Sequence, residues 1–126
     1  MRGSGREKEI IPTEEQDQES LADLLDLIGV RWCHYPAEIK AKPQYMAKRK
    51  RLGVKTGVPD VMIFHPPPNY PFSKGAVIEL KRIKGGRLSE SQVDWLNVLS
   101  VLGWKTAVCK GINEAIEQLK IWGYVS

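Results

Sequence analysis

The sequence predicts one α/β domain, a mixed sheet flanked by helices. Three observations lead there. Two strand-like apolar runs, V-M-I-F from Val61 and A-V-I-E-L from Ala76, flank a segment ruled by proline and glycine. Stretches with helical spacing of apolar residues lie on either side of that pair, two of them opening on an S/T-x-x-Q pattern. The chain has 126 residues, enough for one compact domain and little more.

Residues 1–12 are polar and glycine-bearing, and are expected to form a disordered leader outside the fold. Met1-Arg2-Gly3-Ser4 even looks like an expression leader. The domain is expected over 13–126. Thr13 caps a helix running to about Ile28, with Gln16 completing a capping box and Glu14 and Glu15 favouring its dipole. Leu21, Leu24, Leu25 and Ile28 form its apolar stripe. Projected backwards, that stripe reaches Gln18, Asp17 and Glu14, so polar groups point toward the sheet. Gly29 ends the helix. V-R-W-C-H-Y, 30–35, alternates weakly and reads as a strand. His34 can touch substrate, although a histidine in such a place is more often structural or merely exposed.

Residues 36–56 are basic: Lys40, Lys42, Lys48, Arg49, Lys50, Arg51 and Lys55 crowd them, with Tyr45 and Met46 among the charges. The part over 43–52 is expected to be helical. A charge run is usually a solvated face. This one directly precedes the acidic positions below, which favours phosphate contact. Nothing in it resembles a base reader, so backbone and shape recognition is expected.

The two apolar runs then read as an antiparallel hairpin, because 66–75, P-P-P-N-Y-P-F-S-K-G, cannot be a strand. Tyr70 and Phe72 on that loop can reach DNA or a second subunit, or be plain loop. Folding about the middle of the loop sets Asp60 opposite Lys81, with Glu79 a diagonal neighbour about 7–8 Å or less away. Alternation puts Ile78 and Leu80 on one face and Glu79 and Lys81 on the other. Charged groups inside strands are costly unless paired or bound to a metal. An interior ion pair of Lys81 with Glu79 or Asp60 would account for them structurally. Two carboxylates and a lysine also suit a hard cation such as Mg²⁺, with Lys81 near the attacking water.

R-I-K-G-G-R, 82–87, is a basic connector, and Arg82, Lys84 and Arg87 are expected to touch phosphates. Ser89 opens a helix to about Leu102 with the stripe Gln92, Leu96, Leu99 and Leu102. Gln92 completes a capping box, yet it also heads the stripe and can face the sheet near Lys81. One side chain is expected to do these in turn, not together. Trp95 reads as packing. Gly103 closes the helix, 104–109 is a strand beside the hairpin, and Asn113 caps a last helix whose Ala115, Ile116, Leu119 and Trp122 face inward.

Pro59-Asp60 followed by Glu79-Leu80-Lys81 resembles the PD-(D/E)xK nuclease signature. The wider string G-V-P-D, E-L-K-R and L-S-E-S-Q, then a helix ending in Leu102-Gly103, resembles its VRR-NUC branch. The resemblance implies a restriction-endonuclease-like αβββαβ core and cleavage of DNA phosphodiesters with Mg²⁺ or Mn²⁺. It implies that Asp60, Glu79 and the Leu80 carbonyl bind the metal. A first-helix glutamate completes the site, Glu14 being the match and Glu15 its rival. Lys81 orients or activates the water, and Gln92 supports Lys81. It further implies a homodimer acting on branched DNA such as four-way junctions. A non-catalytic branched-DNA binder that has kept the fold is the alternative.

A net charge of +4 leans toward an anionic partner. Cys33 and Cys109 are too few and too far apart for a metal knuckle, and both are expected reduced. The apolar runs are too short to span a bilayer, and no signal peptide is evident. A cytoplasmic location, in a bacterial or phage-infected cell, follows by default.

Overall fold

The computed structural model describes residues 10–36 and 42–126. Most of the expected leader (1–9) and part of the basic stretch (37–41, with Lys40) lie outside the described residues. The chain runs α1 (Glu14–Ile28), β1 (Trp32–His34), α2 (Pro43–Arg51), β2 (Val61–Ile63), β3 (Ala76–Lys81), α3 (Glu90–Val101), β4 (Lys105–Lys110) and α4 (Gly111–Trp122). The strands form one sheet in the order β1-β2-β3-β4. β1 and β2, and β2 and β3, pair antiparallel, whereas β3 and β4 pair parallel. This is the mixed sheet that the sequence predicts.

Two layers of helix cover it. On one face Val61, Ile63, Ile78 and Leu80 pack with Leu21 and Leu25 of α1 and with Ala115, Leu119 and Trp122 of α4. On the other, Val77 packs with Leu96 and Leu99 of α3, with Trp95 partly buried against them. β3 is covered on both sides, and all of its residues are buried. That is why it reads as a nearly unbroken apolar run.

The local signals act as expected at three helix ends. Thr13 with Gln16, and Ser89 with Gln92, form complete capping boxes, and Gly29 closes α1 in the left-handed region at φ 79°. The hairpin register differs from the expectation. Val61 pairs with Ile78 and Ile63 with Ala76, so one further residue sets Asp60 opposite Glu79, not Lys81. A shift of two keeps every side chain on its face. The observed pairing centres the loop near Asn69, which is held to α4 by its N–H on Trp122 O and its Nδ2 on Ile121 O.

Two other expectations fail at helix ends. Leu102 is the C-cap of α3 and 55% exposed, because its backbone has left the helix that would carry the stripe inward. Asn113 does not cap α4, which starts earlier, at Gly111. The cap comes from a distant element: Asp17, fully buried on α1, accepts the Ile112 N–H at 3.2 Å through Oδ1. A carboxylate suits the positive end of a helix. Gly111 itself sits at φ 81°, and a Cβ there would meet Ile83 Cγ1 at 2.8 Å.

Both cysteines are free, Cys33 exposed and Cys109 buried. Burial, assisted by Glu114, pushes the Cys109 thiol up to about 12. Burial also raises the Tyr124 phenol.

Removing the cross-element cap, in Asp17→Ala, should lower unfolding stability in urea by about 1–2 kcal/mol. Both raised acids are neutral in the fold, so their share of stability is whole below their ordinary values. It is lost as pH rises through the raised ones. Urea midpoints should therefore fall as pH climbs from about 9 toward 12.

Candidate metal and phosphodiester site

Asp60 is placed from three sides. Gly57, at φ 83°, lies so close to the first turn of α3 that a Cβ would meet the Ser91 carbonyl carbon at 2.6 Å. Only glycine allows that approach, which lies three residues ahead of Asp60, and Pro59 between them is buried. β1 holds the Asp60 carbonyl, which accepts the Tyr35 N–H at 2.8 Å and lies 2.8 Å from His34 Nδ1. β3 holds its carboxylate: Oδ2 accepts the Leu80 N–H at 2.7 Å.

Glu79 occupies the neighbouring position on β3. It is 2% exposed and Lys81 8%. The Glu79 Oε2 atom accepts a hydrogen bond from Gln92 Nε2 at 3.2 Å and lies 3.8 Å from Lys81 Nζ. The interior Glu79–Lys81 pair is therefore present, but long for a buried ion pair whose desolvation must be offset by close geometry. Gln92 does both things that the sequence offers it, and at once. Its Oε1 accepts the Ser89 N–H at 2.8 Å while its Nε2 donates to Glu79. The expectation that it must alternate is wrong, because the amide has separate acceptor and donor ends. Its amide N–H contacts Glu79, the partner of Lys81.

A cavity of about 200 Å³ opens beside Asp60, lined by Glu14, Glu15, Gln18, His34, Asp60 and Leu80. Both glutamates of the first turn reach it, and Asp17, used as a cap, does not. His34 lines this cavity as well: it pairs with Val61, next to Asp60, and shares a face with Trp32 on β1.

The donor chemistry fits a hard divalent cation: carboxylate oxygens and a strand carbonyl on adjoining backbone positions. Among the described residues no three His, Cys, Asp or Glu side chains are already drawn together around one point. Glu79 instead faces Lys81 and Gln92. Asp60 and Glu79, with the Leu80 carbonyl and Glu14, are the groups that could hold such an ion.

The basic residues lie outside the core. α2 buries none of its side chains and ends on Lys48, Arg49, Lys50 and Arg51. Lys55, Arg82, Lys84 and Arg87 are exposed.

The VRR-NUC domain model matches residues 4–113 of this sequence. The chain belongs to the VRR-NUC family. The match starts within the stretch that the sequence sets aside as a leader and ends in the first turn of α4. A solved VRR-NUC domain protein superposes with a TM-score of 0.73 over 89% of this chain and 88% of that chain, at 24% identity. At that identity the likeness establishes the VRR-NUC fold. No curated protein matches significantly. Family membership makes this a nuclease-type domain with DNA as its substrate class. Among the described residues no helix is long and apolar enough to cross a membrane.

Gln92→Glu keeps the acceptor for Ser89 but sets a carboxylate against Glu79. A second buried carboxylate beside Glu79 costs more than a lost cap, which is worth about 1 kcal/mol, so Gln92→Glu should melt below Gln92→Leu at neutral pH, and both below wild type. The nuclease activity of both should fall.

Proposed function

We propose that the protein is a divalent-metal-dependent DNA endonuclease, selective for branched DNA such as four-way junctions and active as a homodimer. The observation that carries this reading is the pairing of Asp60 with Glu79 at adjoining strand positions, with Lys81 beside Glu79 and the glutamates of α1 in the Asp60 cavity. A pure DNA binder has no need of clustered carboxylates, which repel phosphate.

Each residue has a role in this account. Asp60, Glu79 and the Leu80 carbonyl hold Mg²⁺ or Mn²⁺, and Glu14 completes the set. The ion, when bound, lowers the pKa of a water and polarises a phosphate oxygen. Lys81, as a cation, orients the attacking water and offsets the charge that grows on the phosphorus oxygens. Gln92 fixes the Glu79 carboxylate by its amide N–H. The Leu80 N–H does the same for Asp60, so both acids are oriented before substrate arrives. Lys48, Arg49, Lys50, Arg51, Lys55, Arg82, Lys84 and Arg87 hold the phosphate backbone without reading bases. Two-fold symmetry supplies the second site that a symmetric cut of a four-way junction needs.

The direct test is to bind a four-way junction in EDTA and then add Mg²⁺. Cleavage should start only on addition, and Asp60→Ala and Lys81→Ala should abolish it while binding stays within a few-fold of wild type. Equal turnover by wild type and Lys81→Ala would remove the assigned lysine role. Binding with no cleavage under any divalent ion would leave a branched-DNA binder on a nuclease fold. With about five phosphates neutralised, the slope of log affinity against log salt should be about −4 to −5. Light scattering under cleavage conditions should give twice the mass of one chain, and a monomer would count against junction resolution.

A further inference from the structure

At the pole of the sheet away from Asp60, where β3 and β4 begin, the 64–75 loop presents two aromatic rings at the surface. Phe72 is 101% exposed, and Tyr70 is 40% exposed. Two tight turns hold them, with Tyr70 N–H on Pro67 O at 2.8 Å and Ser73 N–H on Tyr70 O at 3.0 Å. Asn69 is tied to the end of α4, and Lys74 N–H bonds Gly103 O at 2.9 Å. Phe72 is thus a large apolar ring held out into water by a braced loop.

The chemistry around it is specific. Lys105 Nζ sits 4.0 Å from the centroid of the Tyr70 ring. A cavity of about 460 Å³ joins Tyr70 and Phe72 to Trp104 and Lys105, and no acidic residue lines it. Aromatic rings beside the Lys105 ammonium group, free of carboxylates, match a ligand that carries both aromatic rings and negative charge. Unpaired nucleic acid has both, its bases stacking on the rings while a phosphate meets Lys105. A duplex hides its base faces and cannot use this surface. An acidic peptide would meet Lys105, but gives Phe72 and Tyr70 no ring stack to join.

We propose that Tyr70, Phe72 and Lys105 form a stacking platform for a single-stranded DNA segment. The proposal rests on the DNA-cutting reading for its purpose, since a branched or flapped substrate supplies such a segment beside its duplex arms. From Ala76 to Glu79 is only about 10 Å along β3. The platform and the acidic site are therefore two stations on one small domain, one taking unpaired bases and the other cutting the backbone.

The test measures binding of a labelled fifteen-nucleotide oligothymidylate by fluorescence anisotropy in EDTA, beside a blunt duplex. Phe72→Ala and Tyr70→Ala should each weaken oligothymidylate binding about 5-fold or more, as expected for one lost base stack. Duplex affinity should not change. Phe72 is fully exposed, so its variant should melt with wild type. Unchanged oligothymidylate affinity in both variants overturns the proposal. So does an equal loss for duplex and single strand, or a loss only of self-association. The assay needs no cleavage, so the two readings can fail separately. Phe72-dependent binding by a protein that cuts nothing would sink the nuclease reading alone. Branched-DNA cutting with binding indifferent to Phe72 would sink the platform alone.

Discussion

Every residue of β3 is buried, yet its sequence A-V-I-E-L-K ends with a carboxylate and an amine on the same face. In a strand covered on both sides such groups are expensive to desolvate, and a 3.8 Å contact between them offsets only part of that cost. The rest of the molecule is arranged so that the cost is tolerable. Val77 fills the apolar part of that face against α3, and the capping glutamine of α3 turns its amide N–H onto Glu79. Gly57 lets the chain before β2 lie against the same helix, which sets Asp60 beside Glu79. The capping box of α3, the glycine and the strand register are thus parts of one constraint: they hold two acids at neighbouring positions.

Much of this was legible in the residues, for reasons that can be named. Thr13 with Gln16 and Ser89 with Gln92 are local patterns, and they define the starts of α1 and α3 without help from elsewhere. Alternation over Ile78, Glu79, Leu80 and Lys81 gave the faces of β3 because period two survives any slip by two residues. What was not legible depends on contacts between distant parts of the chain. The turn of the hairpin is centred near Asn69, which is tied to α4, an element far along the chain. Asp17 caps a helix that starts at Gly111, far along the chain, and no window around Asn113 contains that information. That the His34 ring lies against the Asp60 carbonyl follows only from laying β1 beside β2.

The molecule separates its tasks by burial. Acids sit where the strands are covered, and the cations of α2 and of the connector after β3 sit where nothing covers them. Exposed cations hold phosphates loosely and in a salt-dependent way. Buried or half-buried acids are held by fixed N–H donors and need little rearrangement. The aromatic loop adds a surface of a different chemistry at the opposite end of the sheet.

The proposed chemistry depends on one shared ion. Crystals soaked in Mn²⁺ and measured for anomalous scattering should show a single strong peak within bonding distance of the Asp60 carboxylate, the Glu79 carboxylate and the Leu80 carbonyl oxygen. Manganese bound elsewhere, or Glu79 still turned to Lys81 and Gln92 with no ion between it and Asp60, would contradict it.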